Sequence, residues 1–513
     1  MTRTTRLLLR AASAQTLSLL LLASSACAGG SATPPVAAQA IDSANAAPAA
    51  VASDTLAAKL DAVFLAPKFS SAHWGVRVET LDGRVLYDRN GEKGFMPASN
   101  LKIITTSAAL EKLGPDFTYR TTVEVVGEVL ADGTLKGDLL ITGSGDPSLG
   151  AWHPDNKQNS TTLFADWIEQ LRAAGITRID GNIVSDGRCF TDEGICTEWV
   201  YWDLPYWYAA ESSGLAMEEN AFRCKIKPGT NVGDPARIEI IPATDYVTVV
   251  NDVRTVEAGG TSNADVVWRA DLGNTVRFDR TIALDKEVIN ERGSIHDGPR
   301  YAAYLLREEL ERQGLAVSGE AYNIRTYPGA ASLDAAANRR LLIDHVSPPM
   351  SALCDVVNDV SHNFFADQIV RTLGYKLGEA GSFKEGTRIT REWLKEIGTP
   401  QADVVEMQDG SGLAYTNIVQ PRQFTHVLRY MRTKSPVGSA FYDTLDVQNE
   451  SENRVRTKTG YISSVRTLSG YAITDDGEEI VFSMMCNLYG VPTREVSAAQ
   501  AKAWKILMNA KVD

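Results

Sequence analysis

The sequence predicts a mixed α/β (α+β) fold in which an antiparallel sheet flanked by helices is split by a large β-rich insertion. Three observations predict it. "WGVRVETLDGRVLYDRN", from Trp74, alternates with period two about Asp82-Gly83, the pattern of a hairpin. "RVRTKTGYISSVRTLSGYAITDDGEEIVFSMMCNLYG", from Arg454, reads as strands again, with a turn at Asp476-Gly477, so strands from both ends of the chain are expected to share one sheet. Between them, 119–294 is strand-like with poor helical periodicity, and helical patterns return afterwards.

In chain order, Pro97-Ala98 opens a helix expected to reach about Leu113. Strands follow in "YRTTVEVVGEVLADGTLKGDLLITG", "RIDGNIVSDG", "ARIEIIPATDYVTVVNDV" and "NTVRFDRTIALDKEVIN", separated by turns rich in Gly, Asp and Asn. "PRYAAYLLREELERQG", "SALCDVVNDVSHNFFADQIVRTLGYKLG" and "TRITREWLKEIG" carry helical spacing, and "REVSAAQAKAWKILMN" closes the chain as a helix. The expected divisions are a leader at 1–28, a spacer at 29–54, a first catalytic segment at 55–118, the inserted block at 119–294 and a second catalytic segment at 295–513.

The leader is recognisable by its chemistry. Arg3, Arg6 and Arg10 precede the apolar run "LSLLLLASSACAGG", which is a secretory signal and too short to span a bilayer permanently. Ala26-Cys27-Ala28 fits an A-x-A cleavage site. The alternative is a lipidated Cys27, the only route by which this chain would be membrane-attached, but Ser24 sits where lipoprotein signals usually carry Leu. The expected location is therefore the periplasm or cell envelope. The Ala/Pro-rich tract to about Asp54 is too poor in large apolar groups to bury a core.

A formal charge of −13 and the lack of any basic block argue against nucleic acid as a partner. Export would permit a disulfide among Cys189, Cys196 and Cys224, while Cys354 and Cys486, in apolar surroundings, read as buried thiols. The six histidines show no H-E-x-x-H spacing, no Ser sits in G-x-S-x-G, and Pro147 removes a donor that a phosphate cradle at "ITGSGDPSLG" would use.

Ser99 and Lys102 remain. Three apart on a helix, they share a face, and a neutral lysine can take the proton of a serine nucleophile. Leu101, Ile103 and Ile104 would help to keep that amine neutral by desolvation. S-x-x-K alone is cheap, expected about twice by chance in a chain of this length. Lys458-Thr459-Gly460 on a predicted strand is rarer, expected about once in ten such chains. Ser361-His362-Asn363 lies between them in the helical region. Ser43-Ala44-Asn45 and Ser451-Glu452-Asn453 also match S-x-N, but the first is in the spacer and the second adjoins the K-T-G strand.

The ordered set S-x-x-K, S-x-N, K-T-G is that of penicillin-binding proteins and serine β-lactamases. With "GSGDPSL", "HVSPPMSALCDVVNDVSHNFFADQI", "DGSGL" at Asp409–Leu413 and "KTGYISSVRTLSGY", the chain resembles the class C low-molecular-mass penicillin-binding proteins, D-alanyl-D-alanine carboxypeptidase/endopeptidases of the penicillin-binding-protein-4 type. β-Lactamases resemble it with a much shorter gap than the 262 residues from Ser99 to Ser361. The resemblance implies a serine DD-peptidase/β-lactamase-like transpeptidase domain that acts on peptidoglycan stem peptides ending in D-Ala-D-Ala. It implies acylation by β-lactams and no cofactor or metal. It further implies Ser99 as nucleophile, Lys102 as base, Ser361 as proton relay and Asn363 as orienter. Lys458 would add charge that keeps Lys102 neutral and attracts the substrate carboxylate, Thr459 would hydrogen-bond that carboxylate, Gly460 would let the strand approach closely, and Tyr461 N–H would complete an oxyanion hole with Ser99 N–H.

Asp186 is either an amine partner reaching the site from the insertion, as in relatives, or a turn-forming Asp before Gly187. Ala414-Tyr415 stand where relatives commonly carry Ser-Arg, which leaves a pocket less tuned to an anionic side chain. Two further departures are Tyr461 after K-T-G and Asp367 in place of Glu. The rival functions are a serine β-lactamase, for which no deacylating Glu motif stands out, and a peptidoglycan-binding protein with a vestigial site.

Overall fold

The computed structural model describes residues 55–151 and 159–512, so the expected leader and spacer, Cys27 included, lie outside the described residues. Six antiparallel strands form the sheet that carries the site: β1 (His73–Thr80), β2 (Val85–Arg89), β3 (Asp446–Val447), β4 (Val455–Ile462), β5 (Val465–Ile473) and β6 (Glu479–Asn487). Their spatial order is β3-β4-β5-β6-β1-β2. The expected sharing of one sheet by the two ends of the chain is thus a single junction, β1 on β6, with His73 opposite Asn487 and Thr80 opposite Ile480.

The period-two alternation of β6 divides the core. Ile480, Phe482, Met484 and Cys486 face α1 (Leu56–Phe64) and the C-terminal helix, through Leu60, Phe64, Trp504 and Leu507. Val481 and Met485 face the opposite layer, built from α2 (Leu101–Leu113), α3 (Met350–Asp359), α4 (Asn363–Leu377) and the helix Pro421–Thr433. The second core packs Leu110, Phe364, Val427 and Tyr471 together. Every residue of α2 from Leu101 to Leu110 is buried, polar ones included, so this helix is central rather than amphipathic.

The inserted block has a seven-stranded mixed sheet and smaller two- and three-stranded ones. Two expectations need correction here. First, the block does not end at Ser294. Arg339–Val346 pairs antiparallel with Arg120–Val129, and the helix Gly298–Arg312 buries Tyr301, Leu305, Leu306 and Leu310 in the same core as Val123, Leu139 and Ile179. The chain returns to the catalytic segment only after Val346. Second, the mostly strand-like block also carries a helix, Ser160–Ala173, that the reading of its strands left out. Asn159 caps it, taking the Thr162 N–H at 2.9 Å, and Leu163, Phe164, Trp167, Ile168 and Leu171 line its buried face. Cys189, Cys196, Cys224, Cys354 and Cys486 are all free thiols, so the disulfide that export would permit is not formed.

Candidate active site

Ser99 sits in a single 3₁₀ turn, Ala98–Asn100, that leads into α2. Ala98 opens the turn at φ 45°, and Gly412, itself at φ +84°, must pass so close that a Cβ there would fall 1.9 Å from the Ala98 carbonyl oxygen. Asn100 fastens the turn to the sheet. In the amide orientation that satisfies both ends, its nitrogen donates to the Lys458 carbonyl at 2.8 Å and its oxygen accepts from Ser469 Oγ at 2.6 Å.

Lys102, one turn on, is fully buried. Its Nζ lies 2.9 Å from Ser99 Oγ, 2.7 Å from Asn363 Oδ1 and 2.6 Å from the Ser411 carbonyl oxygen. Burial pulls its pKa down to about 7, against the opposing pull of the Asp367 and Asp409 carboxyls. Asn363 Oδ1 and Ser411 O can only accept. A neutral amine therefore gives its two N–H bonds to them and presents its lone pair to the Ser99 hydroxyl.

The chain between α3 and α4 turns sharply at Ser361, which adopts φ 59°, a left-handed conformation that costs a non-glycine residue about 1–2 kcal/mol. This turn places Ser361 Oγ 2.9 Å from Lys458 Nζ, while Asn363, at the first position of α4, reaches Lys102. The Asn363 amide nitrogen donates to the Tyr208 carbonyl of the inserted block at 2.9 Å.

Lys458 points in from β4 and is as buried as Lys102. Burial first, and then the nearby Lys102 amine, hold its pKa well below the ordinary lysine value. For both amines burial is the first cause, in keeping with the desolvation expected from Leu101, Ile103 and Ile104. Gly460 lets β4 pack against the start of α2, since a Cβ there would lie 2.9 Å from Ser99 N and 3.0 Å from Asn100 N. Thr459 is half-buried and Tyr461 is exposed. β3 covers β4 only at Arg456 and Thr457, so the following stretch of that edge has no strand partner among the described residues.

The structure thus gathers Ser99, Lys102, Ser361, Asn363, Lys458 and Gly460 around one point. It does not bring Asp186 there. The Asp186 carboxylate takes the Arg188 N–H at 2.9 Å, as a turn residue does, and the Arg188 guanidinium at 2.6 Å, and Arg188 also holds Asp334.

Three further groups support the site, though the sequence assigned none of them a role there. The Ser411 carbonyl is a backbone acceptor. Asp367 fixes the loop that supplies it, accepting from Gly410 N at 2.9 Å and Ser411 N at 3.0 Å; burial raises its pKa well above the carboxylate range. Tyr208 accepts from Asn363 through its carbonyl, and its hydroxyl donates to Asp203 at 3.0 Å, a carboxyl whose pKa burial also raises. The aromatic run from Trp199 to Tyr208 was the available signal.

Known proteins resemble this chain over most of its length. The chain is 28% identical over 458 residues to the D-alanyl-D-alanine carboxypeptidase of Actinomadura sp. (strain R39), covering 84% of this chain and 81% of that protein. It is 22% identical to the D-alanyl-D-alanine carboxypeptidase DacB of Haemophilus influenzae over 433 residues, 82% of this chain and 86% of that one. The crystal structure of penicillin binding protein 4 from H. influenzae superposes with a TM-score of 0.75 at 20% identity, covering 88% of this chain and 99% of that one, which shows the shared fold. The profile of the D-Ala-D-Ala carboxypeptidase 3 (S13) family matches residues 56–507, and the chain belongs to that family of serine DD-peptidases.

Proposed function

We propose that this serine DD-peptidase cleaves the terminal D-Ala-D-Ala bond of peptidoglycan stem peptides, or the equivalent cross-link, through an acyl-enzyme on Ser99. The observation that carries the assignment is the placement of Lys102: a fully buried amine 2.9 Å from Ser99 Oγ, with two pure acceptors using its N–H bonds. Lys102 takes the Ser99 proton as Oγ attacks the carbonyl carbon. Ser99 N–H and Tyr461 N–H receive the oxyanion, each donor being worth about 3–4 kcal/mol in the transition state. The proton passes by way of Ser361, which Lys458 orients, to the leaving D-alanine nitrogen as the C–N bond breaks. Water then hydrolyses the ester. A β-lactam enters the same path and stops at the acyl-enzyme.

The open edge of β4 suits a substrate lying as an added strand, with Thr459 and Lys458 beside its terminal carboxylate. Asp203, linked through Tyr208 to Asn363, is the carboxyl we assign to meet a stem-peptide amine. Action on peptidoglycan fits a location outside the cytoplasm, with the 1–28 leader as the export signal. Among the described residues no helix is long and apolar enough to cross a membrane.

Intact-mass measurement after incubation with a penicillin tests the assignment. Wild type should gain one drug mass, mapped to the peptide containing Ser99, and Ser99→Ala should gain none. Equal labelling of both proteins refutes it.

A further inference from the structure

We infer that the inserted block is part of the catalytic apparatus, with Glu219 as a positioning residue that acts through His362 to hold Ser361 and Asn363 against the two lysines. The inference rests on the roles assigned above to Ser361 and Asn363.

Glu218, Glu219 and Asn220 are consecutive left-handed residues, at φ 52°, 61° and 49°. L-residues keep such a run only where the surroundings enforce it. Here it sends successive side chains in different directions. Glu218 takes the Ser160 N–H at 3.0 Å and its hydroxyl at 2.5 Å. Asn220 donates to the Glu211 carbonyl at 2.7 Å and to Ser213 Oγ at 2.8 Å. Glu219, only 2% exposed, is left facing the middle residue of the S-x-N motif.

The Glu219 carboxylate lies 3.0 Å from His362 Nε2 and accepts from Arg292. The contact is close without meeting hydrogen-bond geometry, so it fixes where the ring sits rather than saturating its nitrogens. Burial would raise the Glu219 pKa, but Arg292 and His362 reverse this and hold it at about 2, so the carboxylate stays ionised. The Arg292 guanidinium lies over Trp207 at 4.2 Å, and Trp207 stands edge-on to His362 with ring centres 5.5 Å apart. Phe365 closes on the same imidazole at 4.7 Å. The His362 ring is thus held by one carboxylate and two aromatic rings, two of the three from the insertion.

This grip falls on the one residue between Ser361 and Asn363. Ser361 must stay at φ 59° for its hydroxyl to meet Lys458, and Asn363 must present its oxygen to Lys102. The residue after Trp207, Tyr208, takes the Asn363 amide on its carbonyl. One short segment of the insertion therefore restrains both the ring of His362 and the amide of Asn363. Without the Glu219 charge, His362 can leave its slot, and Ser361 can relax to an ordinary backbone angle that withdraws its hydroxyl from Lys458.

The test is the rate of Ser99 acylation by a fluorescent penicillin, with the KM for a soluble acyl-D-Ala-D-Ala peptide and a thermal melt on the same samples. Glu219→Gln keeps the shape and removes the charge, and Glu219→Asp restores the charge. Acylation should fall about 10- to 100-fold in Glu219→Gln with KM changed less than threefold, and Glu219→Asp should recover part of the loss. His362→Asn should fall similarly, and the double variant should be no slower than the slower single one, because the two act as a unit. Should Glu219→Gln fail to fold, His362→Asn carries the same comparison. Folded Glu219→Gln acylating within threefold of wild type, or losses that multiply in the double variant, overturns the inference. Ser361→Ala is the control: if it acylates at the wild-type rate, the assignment of Ser361 has failed instead.

Discussion

Moving an assay from pH 8 to pH 6 takes Lys102 through its titration, and its surroundings fix the size of the effect. With its pKa drawn by burial from 10.5 to about 7, roughly half of the free enzyme carries a neutral Lys102 at pH 7. An unburied lysine would be neutral in only about one molecule in three thousand, so burial enriches the competent form about a thousandfold. The neutral fraction is about 0.9 at pH 8 and about 0.1 at pH 6, so acylation at low reporter concentration should drop nearly tenfold between them. Stopped-flow labelling with a fluorescent penicillin from pH 5.5 to 9 measures this directly. Stability gives a second readout. Between about pH 7 and 10.5 the unfolded chain binds more protons at this site than the native protein does. Lys102 is thus a liability below pH 7 that is relieved as pH rises, and urea midpoints should climb more from pH 7 to 9 in wild type than in Lys102→Met. A flat acylation profile, or an acid limb centred above pH 9, would refute the claim that a neutral Lys102 is the base.

Two further substitutions probe the frame around it. Gly460→Ala sets a methyl group 2.9 Å from Ser99 N and should slow penicillin labelling at least about 100-fold, with about 1–3 kcal/mol of overpacking in a thermal melt; labelling at the wild-type rate would show that the contact is yielding. Arg371→Ala removes a buried guanidinium that donates to the carbonyls of Gly381, Ser212 and Thr191 and lies against Phe190 and Phe383, and should lower urea-measured stability by about 3 kcal/mol or more.

The residues to which we assign the chemistry were legible because that chemistry restricts side-chain type: a lysine three residues from a serine at the start of an apolar helix, and a K-T-G on a strand, have together few structural uses. The hairpins about Asp82-Gly83 and Asp476-Gly477 were legible from local periodicity and turn residues. The extent of the insertion was not. The helical spacing of Gly298–Arg312 announces a helix, yet nothing local says that Tyr301 and Leu306 will pack beside Val123 rather than beside Phe364. Ser160–Ala173 was readable from its Asn159 cap and its 3–4 spacing, and was submerged in a strand-rich neighbourhood. The Ser411 carbonyl and the φ of Ser361 are backbone properties, and residue identity does not encode them singly. Asp186 shows the converse. An Asp before Gly is adequately explained by a turn, and the structure uses it so.

The pairing of β1 with β6 has a consequence for biosynthesis. β1 meets β2 at once, but some four hundred residues must follow before β6 exists to cover its other edge, which makes this a junction of very high contact order, slow to form and late. The inserted block, whose strands pair with one another between Arg120 and Val346, can form its sheets while the rest is still being made. A chain ending between Lys458 and Glu479 would keep its serine and both lysines, but the sheet that aligns them would lack the strand joining its two halves. Alignment of the proposed catalytic groups is therefore expected only once β6 has been made.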